Sequence, residues 1–215
     1  HDATAEHTPM PPVAARAAEV EGDAGTAATS PTDGSAGTTD ASWYSIVAAG
    51  PCAGCGLDSS AGAVQGLGSR IRDEASRWAA LLATDDDAIR VRPTPETWSA
   101  LEYAAHVRDT LTVFADRAMR ILAEDRPELG WWDHEAAIED GWDNELEAAA
   151  VADDVARNAE HLATVLARVP ADGWTRIGTR RAGEDFTVEL LARFALHEVV
   201  HHRHDARASL DAALP

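Results

Sequence analysis

The sequence predicts an all-α protein folded as a four-helix bundle. Four stretches carry apolar residues every three or four positions, the spacing of one buried helix face. No stretch shows the strict apolar and polar alternation that predicts a half-buried strand. Four amphipathic helices of about 20 residues each pack as a bundle, whose metal and cofactor sites are built from inward side chains on facing helices.

Capping residues and prolines set the limits of the four predicted helices. The second helix has the strongest start, because Ser99 and Glu102 form a capping box before a periodic apolar run. Pro93 and Pro95 interrupt the chain before it, and Pro170 stops the third helix. The predicted helices span residues 63–83, 99–123, 145–168 and 187–210.

Composition changes sharply near residue 60. Residues 1–42 are rich in Ala, Thr, Gly, Pro and Asp and contain no aromatic residue. Such a segment cannot bury enough apolar surface to offset the entropy of ordering. We therefore expect a disordered, low-complexity tail over residues 1–60, which includes a Cys-x-x-Cys segment at 52–55, and one bundle domain over residues 61–212.

Cys52 and Cys55 are the only cysteines of the chain. One Cys-x-x-Cys supplies two of the four ligands that a tetrahedral zinc site requires. A thioredoxin-like redox role would be expected beside a β-α-β pattern, which the sequence does not show. Three interpretations remain open, namely half of a metal site completed by histidines, a labile disulfide, and an inert pair.

The charge of the chain excludes several kinds of partner. A net charge of -19 argues against nucleic acid and against an acidic membrane surface. All basic residues are arginines, so the chain offers no lysine for Schiff-base or P-loop chemistry. No stretch approaches the roughly 20 apolar residues of a membrane span, and no signal peptide is visible. We expect a soluble, cytoplasmic protein.

The connection between the second and third predicted helices is long and rich in aromatic residues. Such a loop can roof a pocket between helices. The residues concerned are Trp131, Trp132, His134 and Trp142.

The last predicted helix carries a cluster of metal-binding side chains at residues 196–205. Side chains four residues apart share a helix face, so the cluster offers two alternative pairs, His197 with His201 and Glu198 with His202. Residues 197–201 also match the H-E-x-x-H signature of zinc hydrolases, in which glutamate activates a metal-bound water. The longer metzincin extension of that signature has no counterpart here.

A helical projection compares the two pairs. At about 100° per residue, Glu198 and Asp205 fall near the middle of the apolar face. His202 lies on one flank of that face, and His197 and His201 lie on the other. The projection mildly favours Glu198 with His202, and both pairs remain open.

Residues 97–107, Thr-Trp-Ser-Ala-Leu-Glu-Tyr-Ala-Ala-His-Val, enter a helix and are followed near the C-terminus by His201-His202-Arg203. Together these segments resemble the DinB-like metalloprotein superfamily over about residues 65–210. The chain is similar in particular to the actinobacterial branch that includes mycothiol-dependent maleylpyruvate isomerase. The resemblance implies a divalent metal, zinc in the first place, with nickel, iron and manganese as alternatives.

The resemblance also implies the ligands. It assigns one ligand to His106 on the second helix and a pair four residues apart to the last helix. In the mycothiol-dependent branch this pair is Glu and His, with Asp three residues later, as in Glu198, His202 and Asp205. Most superfamily members have His where this chain has Glu198, so His197 with His201 stays an alternative. Three polar residues are candidates for orienting the ligands through hydrogen bonds: His197, His201 and Asp205.

The resemblance implies a metal-dependent enzyme. The expected reaction is that of an S-transferase or isomerase in which mycothiol, or another low-molecular-weight thiol, adds to a small electrophile. One alternative is a metal-dependent hydrolase that uses activated water. Another is a protein that binds metal without catalysis and acts in binding or in a stress response. The expected partners are small molecules, and a homodimer formed through an exposed helix face is a further expectation.

Overall fold

The computed structural model describes residues 47, 50–134, 138, 142–181 and 184–214. Almost all of the predicted disordered tail, namely residues 1–46 and 48–49, lies outside the described residues. The described residues form the bundle and the short segment that leads into it.

The predicted four-helix bundle is confirmed. Its first helix is divided into two pieces, α1 and α2, and the other three are continuous. The helices are α1 (Leu67–Ala75), α2 (Trp78–Leu82), α3 (Ala100–Ala123), α4 (Ala148–Ala167) and α5 (Val188–Ala213). Among the described helices, none has both the length and the apolar composition that a bilayer-spanning helix requires.

The predicted first helix, 63–83, is not continuous. The Ser76 hydroxyl donates to the Asp73 carbonyl at 2.7 Å, and the Arg77 N–H donates to the Glu74 carbonyl at 3.2 Å, three residues back instead of four. Such local bonds offer the backbone an alternative to the helical ladder. After the break, Trp78 is fully buried, and its indole N–H donates to the Val199 carbonyl on α5 at 3.3 Å.

The capping box at the start of α3 is confirmed. Ser99 Oγ accepts from the Glu102 N–H at 3.1 Å, and Glu102 Oε2 accepts from the Ser99 N–H at 2.8 Å. The Glu102 side chain is fully buried, and the Arg92 guanidinium donates to both of its oxygens at 2.6 to 3.0 Å. This pairing neutralises the buried carboxylate and fixes the first turn of α3, one turn before His106.

The core lies between the helices, with α3 against α4 and α5, and α1 also against α4 and α5. Gly68 on α1 permits a close approach, because a Cβ there would lie 3.2 Å from the Ala163 Cα on α4. The largest fully buried side chains come from every helix of the bundle. They include Leu67, Ile71, Trp78, Leu101, Leu111, Ile121, Leu162, Leu191, Leu196 and Leu210.

A β-hairpin precedes α5, so the expectation of no strands was wrong in this part of the chain. Strand β1 (Ile177–Arg181) pairs antiparallel with β2 (Glu184–Thr187). One buried position of β1 is Arg180, whose guanidinium donates to Glu184 at 2.7 Å. Because a charged residue occupies this buried position, β1 does not show the alternation of apolar and polar residues by which strands are predicted. Thr187 then caps α5 by accepting from the Leu190 N–H at 3.0 Å.

Residues 50–60, which the sequence assigned to the tail, contact α5 in the structure. The Arg193 guanidinium on α5 donates to the Ser59 carbonyl at 2.7 Å and to the Gly62 carbonyl at 3.3 Å. Cys52 and Ser59 are buried. Arg193 is thus covered by the segment that precedes α1.

The capping box supplies a test of the fold. Ser99→Ala removes the acceptor for the Glu102 N–H and the donor to Asn144 Oδ1 at 2.7 Å. We expect the free energy of unfolding to fall by about 1 to 2 kcal/mol, measured by urea denaturation. Ser76→Ala is the matched control, because that hydroxyl is exposed and bonds only within its own turn. An equal loss in both variants would contradict the role of the cap.

Candidate metal centre

Three metal-binding side chains from two helices meet inside the bundle. His106 comes from α3, and Glu198 and His202 come from successive turns of α5. His106 Nε2 lies 3.2 Å from Glu198 Oε2, and His202 Nε2 lies 3.1 Å from the same oxygen. The structure therefore brings together the three residues that the resemblance assigned to the metal.

The spacing and burial of these donors suit a metal ion. The donor atoms of all three residues lie within 4.8 Å of one another, and each side chain is buried. Ligands at about 2.1 Å from a tetrahedral ion stand about 3.4 Å apart, close to the two nitrogen to oxygen distances observed. Two imidazoles and one carboxylate are also the donor types that zinc accepts. These residues could hold a divalent cation.

The electrostatics of the cluster favour positive charge at its centre. Burial lowers the pKa of His106 to about 4, against the opposing effect of its hydrogen bond with Glu198. Burial would raise the pKa of Glu198, but the charge of His202 and hydrogen bonds from His106 and His197 hold it well below its usual value. Burial would likewise lower the pKa of His202, but the Glu198 carboxylate and Asp205 raise it to about 9. A neutral imidazole, a carboxylate and an imidazolium therefore share the site at neutral pH.

Asp205 stands behind His202. Its Oδ2 lies 3.3 Å from His202 Nδ1, on the opposite side of the ring from Glu198. A carboxylate in this position fixes the ring orientation and makes the other nitrogen a better ligand. Asp205 thus lies where it can orient the His202 ring, the role for which it was a candidate.

Aromatic side chains enclose the cluster. The Trp132 ring is stacked parallel to His106, with centroids 5.9 Å apart, and the His134 ring lies 5.3 Å from His106. Trp98 lies 5.4 Å from His106, and Tyr103 stacks on His202 at 5.5 Å. Apolar walls with a few convergent polar groups are typical of small-molecule sites.

The predicted aromatic roof is confirmed in part. Trp132 and His134 reach His106, whereas Trp131 is 47% exposed and packs under the guanidinium of Arg181. The side chain of Trp142 lies outside the described residues. The described part of the loop therefore contributes one tryptophan and one histidine to the site.

The alternative pair, His197 and His201, lies beside a different part of the chain. His201 Nδ1 is 3.5 Å from Cys52 Sγ, and the donor atoms of Cys52, Cys55, His197 and His201 lie within 4.8 Å of one another. The match of residues 197–201 to the H-E-x-x-H signature does not correspond to one shared site. Its glutamate belongs to the cluster around His106, while its histidines belong with the cysteines.

Sequence reasoning missed three residues beside the cluster. Trp98 and Tyr103 were named only as part of residues 97–107, and Thr110, whose Oγ1 lies 3.3 Å from His106 Nε2, was not considered. Tyr103 and Thr110 stand three residues before and four residues after His106. Their helical spacing places them on the face of His106, a signal that was available in the sequence.

Comparison with known proteins places the chain in a family. Residues 70–206 match the DinB superfamily, and none of the curated proteins matches the chain. Among solved structures, YfiT from Bacillus subtilis, described as a probable metal-dependent hydrolase with an unusual four-helix bundle topology, has a TM-score of 0.54 and 12% sequence identity. The similarity covers 84% of this chain and 91% of YfiT, and at this identity it concerns the fold alone. Because the family match spans more than half of the sequence, the chain belongs to the DinB superfamily.

Proposed function

We propose that this protein is a metal-dependent enzyme whose centre is His106, Glu198 and His202. One observation carries the proposal: two imidazole nitrogens from separate helices lie 3.2 and 3.1 Å from one buried carboxylate oxygen. Burying a carboxylate and two imidazoles costs free energy, and metal coordination is one of the few arrangements that offsets it. Zinc is the first candidate for the metal, because its preferred ligands include all three donors.

The number of donors supports catalysis over a purely structural role. Three protein ligands leave one tetrahedral position for a substrate or for water. A divalent ion held there supplies Lewis acidity, which lowers the pKa of a thiol or water molecule bound to it. Asp205 orients the His202 ring, and Trp98 and Trp132 restrict the access of bulk water.

The leading reaction is the addition of a low-molecular-weight thiol, of the mycothiol type, to a small electrophile. The product is either an S-conjugate or an isomer of the substrate. The pattern of Glu198, His202 and Asp205 supports this choice, because it is the pattern of the mycothiol-dependent branch. The parallel Trp132 ring over His106 offers a flat apolar surface to a planar unsaturated substrate.

A metal-dependent hydrolase is the second candidate. YfiT, which has the same fold, is described as a probable metal-dependent hydrolase. The same three donors would serve a water nucleophile equally well, because fold and donor set do not determine the nucleophile. A protein that binds metal without turnover is the third alternative.

Removing a ligand tests the centre. We expect His106→Ala, Glu198→Gln and His202→Ala each to lose one bound ion, measured by elemental analysis after purification with zinc. Activity should fall by at least ~100-fold, which corresponds to about 2.7 kcal/mol of transition-state stabilisation. His161→Ala is the control, because that histidine is exposed on α4. Full metal content in all three variants would rule out this centre.

The nucleophile can be identified by a comparison of two assays. A thiol-dependent enzyme should consume free thiol when it is given a small electrophile, and the consumption should stop when metal is removed by a chelator. A hydrolase should cleave ester or amide substrates without any thiol. Activity in neither assay with the metal-loaded protein would favour the non-catalytic alternative. The His106→Ala variant gives the background rate for both assays.

Trp132 and Trp131 form a matched pair for testing the substrate surface. We expect Trp132→Ala to lower kcat/KM by about tenfold, on the order of 1.4 kcal/mol, because it removes the ring stacked on His106. Trp131→Ala should have little effect, since its ring is 47% exposed and packs on Arg181. Metal content should stay unchanged in both variants. Equal kinetics for the two variants would contradict the placement of substrate against Trp132.

A further inference from the structure

We propose that Cys52, Cys55, His197 and His201 bind a second metal ion, most suitably zinc, in a structural site adjacent to the His106 centre. The proposal does not depend on the enzymatic function proposed above. It accounts for the two features of the sequence that the His106 centre leaves unused, namely the Cys-x-x-Cys segment and the second pair of histidines.

The distances suit tetrahedral zinc. The four donor atoms lie within 4.8 Å of one another, and Cys52 Sγ lies 3.5 Å from His201 Nδ1. A thiolate sulfur at about 2.3 Å and an imidazole nitrogen at about 2.05 Å from zinc stand about 3.6 Å apart. Cys52, His197 and His201 are buried, and Cys55 is partly buried. Four protein donors complete a closed coordination shell, which is the usual form of a structural zinc site.

The backbone around the cysteines has the form of a metal-binding turn. The Cys52 N–H donates to the Leu57 carbonyl at 2.9 Å, and the Gly56 N–H donates to the Cys52 carbonyl at 2.8 Å. These hydrogen bonds close a turn over residues 52–57, in which the two sulfur atoms lie within 4.8 Å of each other.

Two glycines allow this turn to approach α5. Gly56 has a φ of +73°, a conformation that residues with a side chain rarely adopt. A Cβ on Gly54 would lie 2.9 Å from His201 Cε1, closer than packed carbon atoms approach one another. The absence of a side chain at Gly54 therefore lets the turn lie directly over the imidazole ring.

The spacing of the ligands matches that of known zinc sites. Cysteines three residues apart and histidines four residues apart are the two halves of a Cys2His2 site. Here the halves are far apart in the chain, since Cys52 and His201 are separated by 149 positions. His197 and His201 occupy successive turns of α5, so one face of the helix presents both rings to the cysteine turn.

The contacts of the two cysteines favour metal over the other interpretations of this pair. Both cysteines are free, and a ring nitrogen of His197 lies within 4.8 Å of both sulfurs. Neither a disulfide nor an inert pair requires two buried histidines around the sulfur atoms. Four ligands that converge from two separate segments are explained by one ion, whose binding releases the thiol protons to solvent.

Carboxylates connect the two sites. Asp205 Oδ2 lies 3.3 Å from His201 Nε2 and also 3.3 Å from His202 Nδ1. His197 Nδ1 lies 3.9 Å from Glu198 Oε1, the oxygen not shared by the other two imidazoles. An ion bound by His197 and His201 therefore holds the turns of α5 on which Glu198 and His202 are placed. It also fastens the segment around Cys52 to the bundle.

Cobalt substitution separates the two sites. Co²⁺ bound by thiolates gives an intense sulfur-to-metal charge-transfer band, which a site of nitrogen and oxygen ligands does not give. We expect the reduced metal-free protein to bind two Co²⁺ ions with this band. The Cys52→Ser/Cys55→Ser variant should bind one ion without the band. The His106→Ala variant should bind one ion and keep the band, which distinguishes this site from the centre proposed for catalysis.

Zinc protection of the thiols in the unmodified protein gives a second readout that needs no variant. We expect zinc to slow alkylation of Cys52 and Cys55 by about tenfold or more, because a coordinated thiolate is a poor nucleophile. His201→Gln should abolish this protection, whereas His204→Gln, which alters a 59% exposed side chain on the same helix, should retain it. Absence of the band in the folded protein, or alkylation that is insensitive to zinc, would overturn the proposal.

Discussion

The buried carboxylate of Glu198 is the constraint on which the described part of the bundle depends most. Glu198 is 5% exposed, and its Oε2 accepts hydrogen bonds from the imidazoles of His106 and His202. A buried charge with no partner would cost several kcal/mol, so α3 and α5 must keep the register that holds all three groups together. The buried pair of Glu102 and Arg92 fixes α3 at its start, one turn before His106.

Helix α5 organises both groups of metal-binding residues because successive residues of a helix point about 100° apart. Glu198 and His202 face α3, and His197 and His201 face the turn of residues 52–55. Each face is covered, and so the polar side chains on it are buried. The hairpin before α5 and the Thr187 cap set where the helix begins, and Arg193 fastens the covering segment to it.

The two proposed metal sites correspond to the two main roles of metal ions in proteins, catalysis and structural support. Three donors within aromatic walls leave room for a substrate, which suits catalysis by an ion at His106, Glu198 and His202. Four donors that close around one point suit a structural ion at the cysteine turn. Asp205 contacts a histidine of each group, so the position of one group is physically coupled to that of the other.

Helical periodicity predicted the helical class, a local pattern predicted the capped start of α3, and a family resemblance named His106, Glu198 and His202 as candidate ligands. All three signals can be read along the chain. The hairpin before α5 escaped prediction because Arg180 fills a buried strand position. The choice between the two pairs on α5 could not be made from a helical projection, which assumes one buried face. Only the tertiary structure showed that the segment around Cys52 covers a second face, because contacts between residues 149 positions apart depend on packing rather than on local pattern.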